Sequence, residues 1–503
     1  MQQLVAELTA RAETAPDTIA VIDASGSHTT AEVMREAEIL SRVLATTVDG
    51  APTVLVQADN TWRTMSAALA VGMRGGLIAV VSRHATPGEF AIACSDLVPD
   101  VVIASEPVII GWDVPTDHFS ARSEALDGWT VAARPGATSG VERWRGGVVV
   151  AMTSGSTGRP KCVVQSEEAL RYAGQCTIDA VGLQPGDPVG ALVPLSSVAA
   201  FCFGMYLPAM LGSPMVALDG WEPSAALHLM AKHDVRWTML VPTMALQLSI
   251  LPDSAGSLSS LTAMTVGGGP MDSGALGRAE RTLGTKFLRV FGMSECLGHT
   301  TPLPTEDEDV RLGRDGRPFP GTTVRVVDEA GVPRDVGEVG QLQVQGPSFF
   351  VGYARNGAPE PPALTADGFF PTGDLARINP DGTLNIVGRE KQIIIRGGRN
   401  IDINEVEAAI AQLPDVAQVC VVPVPDDLLG ERAAALIVTS GAEIDLDAVT
   451  AHLDAAGFAK FKWPEFVHRV AALPQNRVGK LSRDDAVKLA TELSSTPAEH
   501  PTT

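Results

Sequence analysis

Apolar positions in this chain recur with two periods, and the change from one to the other marks its organisation. From about Val148 to Val290, short runs rich in valine and leucine alternate with segments of helical period: "GGVVVAMT", "SEEALRYAGQCTI", "VGALVP", "VAAFCFGMYLPAML", "PMVAL", "PSAALHLMAKH", "RWTMLVP", "ALQLSIL", "LTAMTV", "SGALGRAERTL" and "KFLRVFG". Such alternation predicts a mostly parallel sheet with helices packed on its faces. Upstream, "TIAVID", "TVLVQA", "LIAVVS" and "DVVIAS" interleave with helical segments and predict a similar α/β half packed against the first. Beyond Val310 the period drops to two, and "TTVRVVDEAGVPRDVGEVGQLQVQG" and "GFFPTGDLARINPDGTLNIVGREKQIIIRGGR", punctuated by "EAG" and "PDG" turns, predict antiparallel strands. "NEVEAAIAQL", "VAQVCVVPV", "ERAAALIVTS", "LDAVTAHLDAAG" and "EFVHRVAAL" then suffice for a small α+β domain with its own core, with a boundary between Arg389 and Gln392. The closing "ELSSTPAEHPTT" lacks apolar periodicity and is expected to be disordered. The expected division is therefore 1–390, 391–488 and a tail at 489–503.

Composition narrows the class. A chain of 503 residues exceeds what one core sustains, about 250–300 residues, and 45% apolar content fills several. The net charge of −21 argues against nucleic acid or anionic lipid as a partner. Six cysteines lie far apart without a C-x-x-C pair, which fits reduced thiols and a cytoplasmic setting. "MQQLVAELTARAE" carries acidic residues within its apolar pattern and reads as an amphipathic helix rather than an export signal. Between Asp187 and Asp219 the chain carries no charge, but Pro194, Pro208, Pro214, Gly204 and Gly212 interrupt it, so a buried strand, helix and strand are expected rather than a membrane span.

Chemistry gathers where predicted strands end. "MTSGSTGRPK" offers the hydroxyls of Thr153, Ser154, Ser156 and Thr157, a turn at Gly155 and Gly158, and the cation Lys161. Backbone N–H groups of such a turn can cradle an anion, although on composition alone the run is equally an ordinary loop. It is no Walker-type loop, because Arg159 and Pro160 separate the lysine from the last glycine. "GGGPM" and "GMSE" follow two further predicted strands, and convergence of the three on one cleft is expected.

Taken in order, "MTSGSTGRPK", "GGGPM", "FGMSE", "GFFPTGDLARINPDGTLNIVGREKQIIIRGGRNIDINEVE" and "LPQNRVGKLSR" resemble the core motifs of the acyl-adenylate-forming superfamily, most of all its stand-alone acyl-CoA and aryl-CoA ligases. The resemblance runs from "PDTIAVID" to "GKLSR". It implies a large N-terminal domain of α/β subdomains plus a β-barrel, hinged to a small mobile α+β domain. It also implies ATP, Mg2+ and CoA as reactants and cofactor, and a carboxylic acid as substrate. By that likeness Thr153, Ser154, Gly155, Ser156, Thr157, Gly158 and Lys161 hold the β- and γ-phosphates, and Glu295, with Thr153, holds magnesium. Ser294 keeps a hydroxyl near the α-phosphate. Gly267, Gly268, Gly269 and Pro270 let backbone approach the adenine and acyl group, and Phe291, Gly292 and Met293 flank the adenine. Asp374 with Arg389 binds the ribose, and Lys480 bridges the substrate carboxylate and the α-phosphate as the catalytic residue. Ser197, Phe201, Gly267 and Gly298 belong to the acyl pocket, Lys391 is the hinge, and Gly397 and Gly398 border the CoA passage. Arg396, Arg399, Lys460 and Lys462 are candidates for the nucleotide end of CoA and could equally be solvated charges.

Departures from the family pattern bear on the substrate. "PLSSVAAFCF" carries no acid to hold an α-amino group, so an amino-acid substrate is disfavoured. Ser196 and Ser197 replace the aromatic-histidine pair of many CoA ligases, and with Ala199 and Ala200 they suggest room for a bulky apolar acid, an inference that a short, aryl-sized acid with Phe201 or Met205 filling the space would end; the substrate expected overall is a non-amino, bulky apolar or aryl acid. Cys162 replaces the usual glycine after the loop lysine and is read as a small buried hydrophobe. Three alternatives stand beside a CoA ligase: loading of a carrier protein's phosphopantetheine, a non-catalytic nucleotide-binding homologue, and a luciferase-like oxygenase.

Overall fold

The structure, a computed structural model, describes residues 1–495 apart from 140, 154–159, 270, 272, 390–391, 398, 427, 440, 442–443 and 477–478. Two nine-stranded sheets dominate the N-terminal body. The first has Gly147–Thr153, Leu77–Val81, Thr53–Gln57 and Val101–Ser105 as its parallel centre. The second aligns six parallel strands in the order Phe287–Met293, Ala263–Gly267, Trp237–Leu240, Val189–Ala191, Met215–Ala217 and Ile19–Asp23. One buried cluster spans both, including Val54, Val56, Ile78 and Val80 from the first and Val189, Trp237, Met264 and Phe287 from the second.

The allocation of strands differs from the sequence reading at two places. Gly147–Thr153, expected to open the later sheet, pairs with Leu77–Val81 in the first, and Ile19–Asp23 crosses to the second beside Met215–Ala217. A run of apolar residues specifies burial on both faces, which either sheet supplies equally. Two return strands escaped the pattern altogether, Lys161–Ser166 and Cys296–Thr301, each antiparallel to the strand before it.

The uncharged stretch after Asp187 forms the strand Val189–Ala191, helical turns from Val198 to Leu211 with a π-helical segment at Phe201–Tyr206, and the strand Met215–Ala217. Among the described residues no helix is long and apolar enough to cross a membrane. The loop leaving Val189–Ala191 is fixed from the other sheet by the buried Asn60. Its amide donates to the carbonyls of Ala191 (2.9 Å) and Val193 (3.1 Å), and its carbonyl accepts from the Leu195 N–H at 2.9 Å. Removing that side chain would leave buried backbone groups unpaired, at about 1–3 kcal/mol each.

The β-barrel expected next takes the form of a four-stranded antiparallel sheet, Thr323–Val327, Gly340–Gln345, Phe370–Ile378 and Leu384–Arg389. From Ile393 onward the strands build a separate sheet, Arg399–Asp402, Ile393–Arg396, Gly430–Thr439 and Val416–Asp426, with Phe466–Arg469 added on Gly430–Thr439. Ile403–Ile410 and Leu446–Ala455 cover one face, and Arg483–Ser495 the other. Residues 489–495, expected in a disordered tail, continue that last helix, because Ala486 and Ala490 at i, i+4 bury against Cys420 and Leu436. Alanine contributes too little hydrophobicity for a periodicity scan to register that face.

Candidate active site

The phosphate-loop segment is the connection of a β-hairpin. Met152 lies opposite Cys162 and Thr153 opposite Lys161, so the last hydrogen-bonded rung delivers a hydroxyl and an ammonium to the two sides of one opening. The loop residues between them, Ser154, Gly155, Ser156, Thr157 and Gly158, lie outside the described residues, as do Pro270, Lys391 and Gly398. Cys162 is buried in the returning strand. Lys161 Nζ stands 4.8 Å from the centre of the Tyr353 ring, and the Tyr353 hydroxyl donates to Glu295 Oε1 at 2.8 Å. One aromatic residue thus connects the loop lysine to the acid of "GMSE". Tyr353 sits on Gly352–Arg355, beside Val163 of the returning strand. The sequence reading missed it, since its meaning depends on a strand that the pattern did not show.

Ser294 and Glu295 are the two residues between Phe287–Met293 and Cys296–Thr301, which begin pairing at Met293 and Cys296. A two-residue turn projects both from the sheet end. The Ser294 carbonyl accepts from the buried Gln165 amide at 2.8 Å, another contact absent from the sequence reading. Behind the turn, a Cβ at Gly292 would lie 2.9 Å from the Gly298 nitrogen, and one at Gly298, whose φ is +42°, would lie 2.8 Å from Phe203 Cζ. Phe291 meets the His299 ring edge-on at 4.8 Å. Burial lowers the His299 pKa to about 4, so the imidazole is neutral, with Nδ1–H donating to the Cys296 carbonyl at 2.9 Å.

The glycine triplet divides by role. At Gly267 a Cβ would press on Val290 Cγ2 at 2.7 Å. Gly268 has φ +83°, and a Cβ there would sit 2.7 Å from Lys480 Nζ. Gly269 would meet only ordinary contact, 3.7 Å from Pro242, so the protein itself tolerates a side chain there.

Asp374 is almost wholly buried and lies directly opposite Arg389 across two paired strands. Its Oδ1 accepts from Arg389 Nε at 2.8 Å, while Oδ2 is buried without a partner. Burial raises its pKa, opposed by the Arg389 charge. A carboxylate with one oxygen clamped and the other unsatisfied fits a hydroxyl-bearing ligand, whose donors would complete it. Lys480 comes from the C-terminal domain, half-buried, with its pKa lowered first by burial and then by Arg389, and raised by Glu295. The structure therefore brings Lys480, Glu295, Arg389, Asp374 and Gly268 to one cleft. Among the described residues no three His, Cys, Asp or Glu side chains converge as a metal cage. A hard cation beside Glu295 would draw most of its ligands from phosphate and water, as magnesium commonly does.

The acyl-side expectations change in detail. Ser197 Oγ caps its own helix by accepting from the Ala200 N–H at 3.1 Å, and Phe201 and Met205 are completely buried in the core. The rings that approach Gly298 are Phe203 and Phe319, while Phe201, at the start of the π-helical segment, lies in the core. Phe203 packs edge-on against Trp237 at 6.3 Å. The remaining candidates stay within the C-terminal domain. Gly397 has φ +55° and donates its N–H to Leu429 at 2.8 Å. Arg396 pairs with Glu465, Arg399 lies over Phe461, Lys460 over Trp463, and Lys462 pairs with Glu405.

Comparison with known proteins follows the same outline. The AMP-binding enzyme family matches residues 8–354, and the AMP-binding enzyme C-terminal domain matches 405–480. Over 94% of this chain and 91% of the relative, it is 31% identical to a salicylyl-CoA synthase / salicylate adenylyltransferase of a Streptomyces species. It is 30% identical to a 2-hydroxy-7-methoxy-5-methyl-1-naphthoate–CoA ligase of Streptomyces carzinostaticus, over 98% and 94% of the two chains. Among solved structures, ATP-bound MatB from Rhodopseudomonas palustris superposes with a TM-score of 0.84 at 26% identity, covering 97% of this chain and 99% of that one.

Proposed function

The chain belongs to the AMP-binding enzyme family, and on that premise we propose that it joins an aryl carboxylic acid to AMP and then passes the acyl group to the thiol of coenzyme A. The observation that carries this reading is the meeting of Lys480, delivered by the C-terminal domain, with Gly268, Glu295 and the Asp374–Arg389 pair. In the first half-reaction a carboxylate oxygen of the acid bonds to the α-phosphorus of ATP, the bond from that phosphorus to the bridging oxygen breaks, and pyrophosphate leaves. Two anions must meet, so the Lys480 ammonium lies between them and lowers their repulsion as charge moves onto the leaving oxygens. Asp374 Oδ2 accepts from the ribose hydroxyls, and Phe291 flanks the adenine. Thr153 and Lys161, with Ser154, Gly155, Ser156, Thr157 and Gly158, hold the departing phosphates. Glu295 and Thr153 would hold a magnesium ion, which would neutralise phosphate charge.

In the second half-reaction the CoA sulfur bonds to the acyl carbon, AMP leaves with the bridging oxygen, and the thiol proton passes to solvent. The division at 390/391, rotation about Lys391 and passage of the thiol beside Gly397 and Gly398 belong to this reading. An aryl acid is favoured because two relatives matched over nearly their whole length are named for salicylate and a naphthoate. The Phe203 and Phe319 rings that approach Gly298 offer flat apolar surface against which such a ring can pack. None of the six cysteines is in a disulfide, in keeping with a cytoplasmic enzyme.

The test is pyrophosphate release from ATP across benzoates, hydroxybenzoates, naphthoates and fatty acids, followed by thioester formation with CoA or with a phosphopantetheinyl carrier protein. Release that depends on an aryl acid, with transfer to CoA, supports the proposal. Transfer to the carrier alone would replace CoA as the acceptor, and release with no acid tried would overturn the reading.

A further inference from the structure

Thr243 occupies an unusual place for a helix-start hydroxyl. It is the second residue of the helix Pro242–Ser249, whose N-cap position is Val241 and has no side-chain cap. A threonine at the N-cap would turn its oxygen onto the helix's own free N–H groups, but Thr243 lies inside the first turn and does not cap it. Here the hydroxyl leaves the helix and donates to the Gly479 carbonyl at 2.7 Å, across 236 positions of sequence. Gly479, with φ +76°, lies against the side chains of the same segment. A Cβ built on it would meet Met244 Sδ at 3.3 Å and Val241 Cγ2 at 3.5 Å.

The loop that presents Lys480 is braced internally. The Lys480 N–H donates to Asn476 Oδ1 at 3.0 Å, the Asn476 N–H to the Lys480 carbonyl at 2.7 Å, and the Gly479 N–H to the Asn476 carbonyl at 2.9 Å. These bonds tie Gly479 and Lys480 to Asn476, and the bond from Thr243 anchors the Gly479 backbone on the N-terminal body. Thr243 follows the strand Trp237–Leu240, and Gly268 follows its parallel neighbour Ala263–Gly267. Two adjacent strand ends thus grip consecutive residues, one the Gly479 backbone and the other the Lys480 side chain.

We propose that Thr243 is a positioning residue for adenylation: its hydroxyl latches the Gly479 carbonyl and so holds Lys480 at the α-phosphate position, and it must let go before thioester formation. This inference rests on the function proposed above but is tested partly without it. Thr243→Val keeps the shape and removes the donor, and Thr243→Ser restores the donor with less bulk. In limited trypsinolysis, cleavage after Lys480 should be about five-fold faster in T243V than in wild type, the size of one lost hydrogen bond, and near wild type in T243S. In pyrophosphate exchange with an accepted aryl acid, T243V should lose about five-fold, while CoA thioester formation from a preformed aryl-AMP stays equal or becomes faster.

Unchanged cleavage in T243V overturns the latch, whether or not an acid has been found. Equal loss in both half-reactions overturns it too, since a merely structural role would slow both. If wild type exchanges pyrophosphate with no acid, the proposed function fails while the cleavage result still decides the latch.

Discussion

Asp374 and Lys480 face one cleft and are held there by opposite means. Asp374 stands on a strand paired on both sides, almost wholly buried, with Arg389 fixed opposite it in the next strand. Glu295 and Thr153 are likewise set at the ends of paired strands. Lys480 arrives on a short loop of a different sheet, and the holds described for that loop on the N-terminal body are the Thr243 hydrogen bond and close apposition to Gly268, Val241 and Met244. On the proposed mechanism the strand-borne side stays in place through both reactions, and the lysine side lets go between them.

The sharpest way to break that contrast is Lys480→Ala. It should slow acyl-AMP formation about 100- to 1000-fold, the range for removing a key electrostatic contact, and leave thioester formation from preformed acyl-AMP largely intact. Equal loss in the two half-reactions, measured by pyrophosphate release and thioester yield, would place the lysine permanently in the cleft. Next in size, Asp374→Ala should raise the KM for ATP about 10- to 100-fold, since it removes a charged hydrogen-bond acceptor. Because the strand-borne half serves both steps, it should also weaken AMP binding, read by calorimetry. A smaller loss, about ten-fold, is expected for adenylation in Gly268→Ala, where a positive φ and a Cβ 2.7 Å from Lys480 Nζ both work against docking.

The mildest departure concerns pH. Burial and Arg389 disfavour the charged form of Lys480, so its ammonium is lost at lower pH than in an ordinary lysine. Adenylation as proposed needs the ammonium, and its rate should therefore decline on the alkaline side before the usual lysine range. In Lys480→Arg any remaining activity should lack that limb, because a guanidinium does not titrate there. A limb at the same pH in both proteins would assign the titration to another group.

Legibility in the sequence followed the same divide. Parallel strands such as "TVLVQ", "AMTVG" and "FLRVFGM" are largely apolar runs that stand out by themselves, and Gly268 and Glu295, just beyond the last two, were singled out by their motifs and lie near Lys480. The return strands "KCVVQS" and "CLGHTT" were not, since each mixes polar with apolar residues and is defined by its partner. Tyr353, Gln165 and Thr243 were hidden for that reason: each acts through a neighbour more than 50 positions away in sequence. Phe201, expected in the acyl pocket, opens a π-helical segment and is wholly buried, and Phe203 two residues on is a ring that approaches Gly298.

The crossing of Ile19–Asp23 into the second sheet has a consequence for synthesis. Val21 pairs with Met215, so the chain's first strand emerges from the ribosome long before its parallel partner exists. At roughly 5–20 residues per second, it waits on the order of 10–40 s with an open apolar edge. During that interval chaperones have their main claim on this polypeptide, and slowed translation between the two strands should cost yield of folded product rather than specific activity.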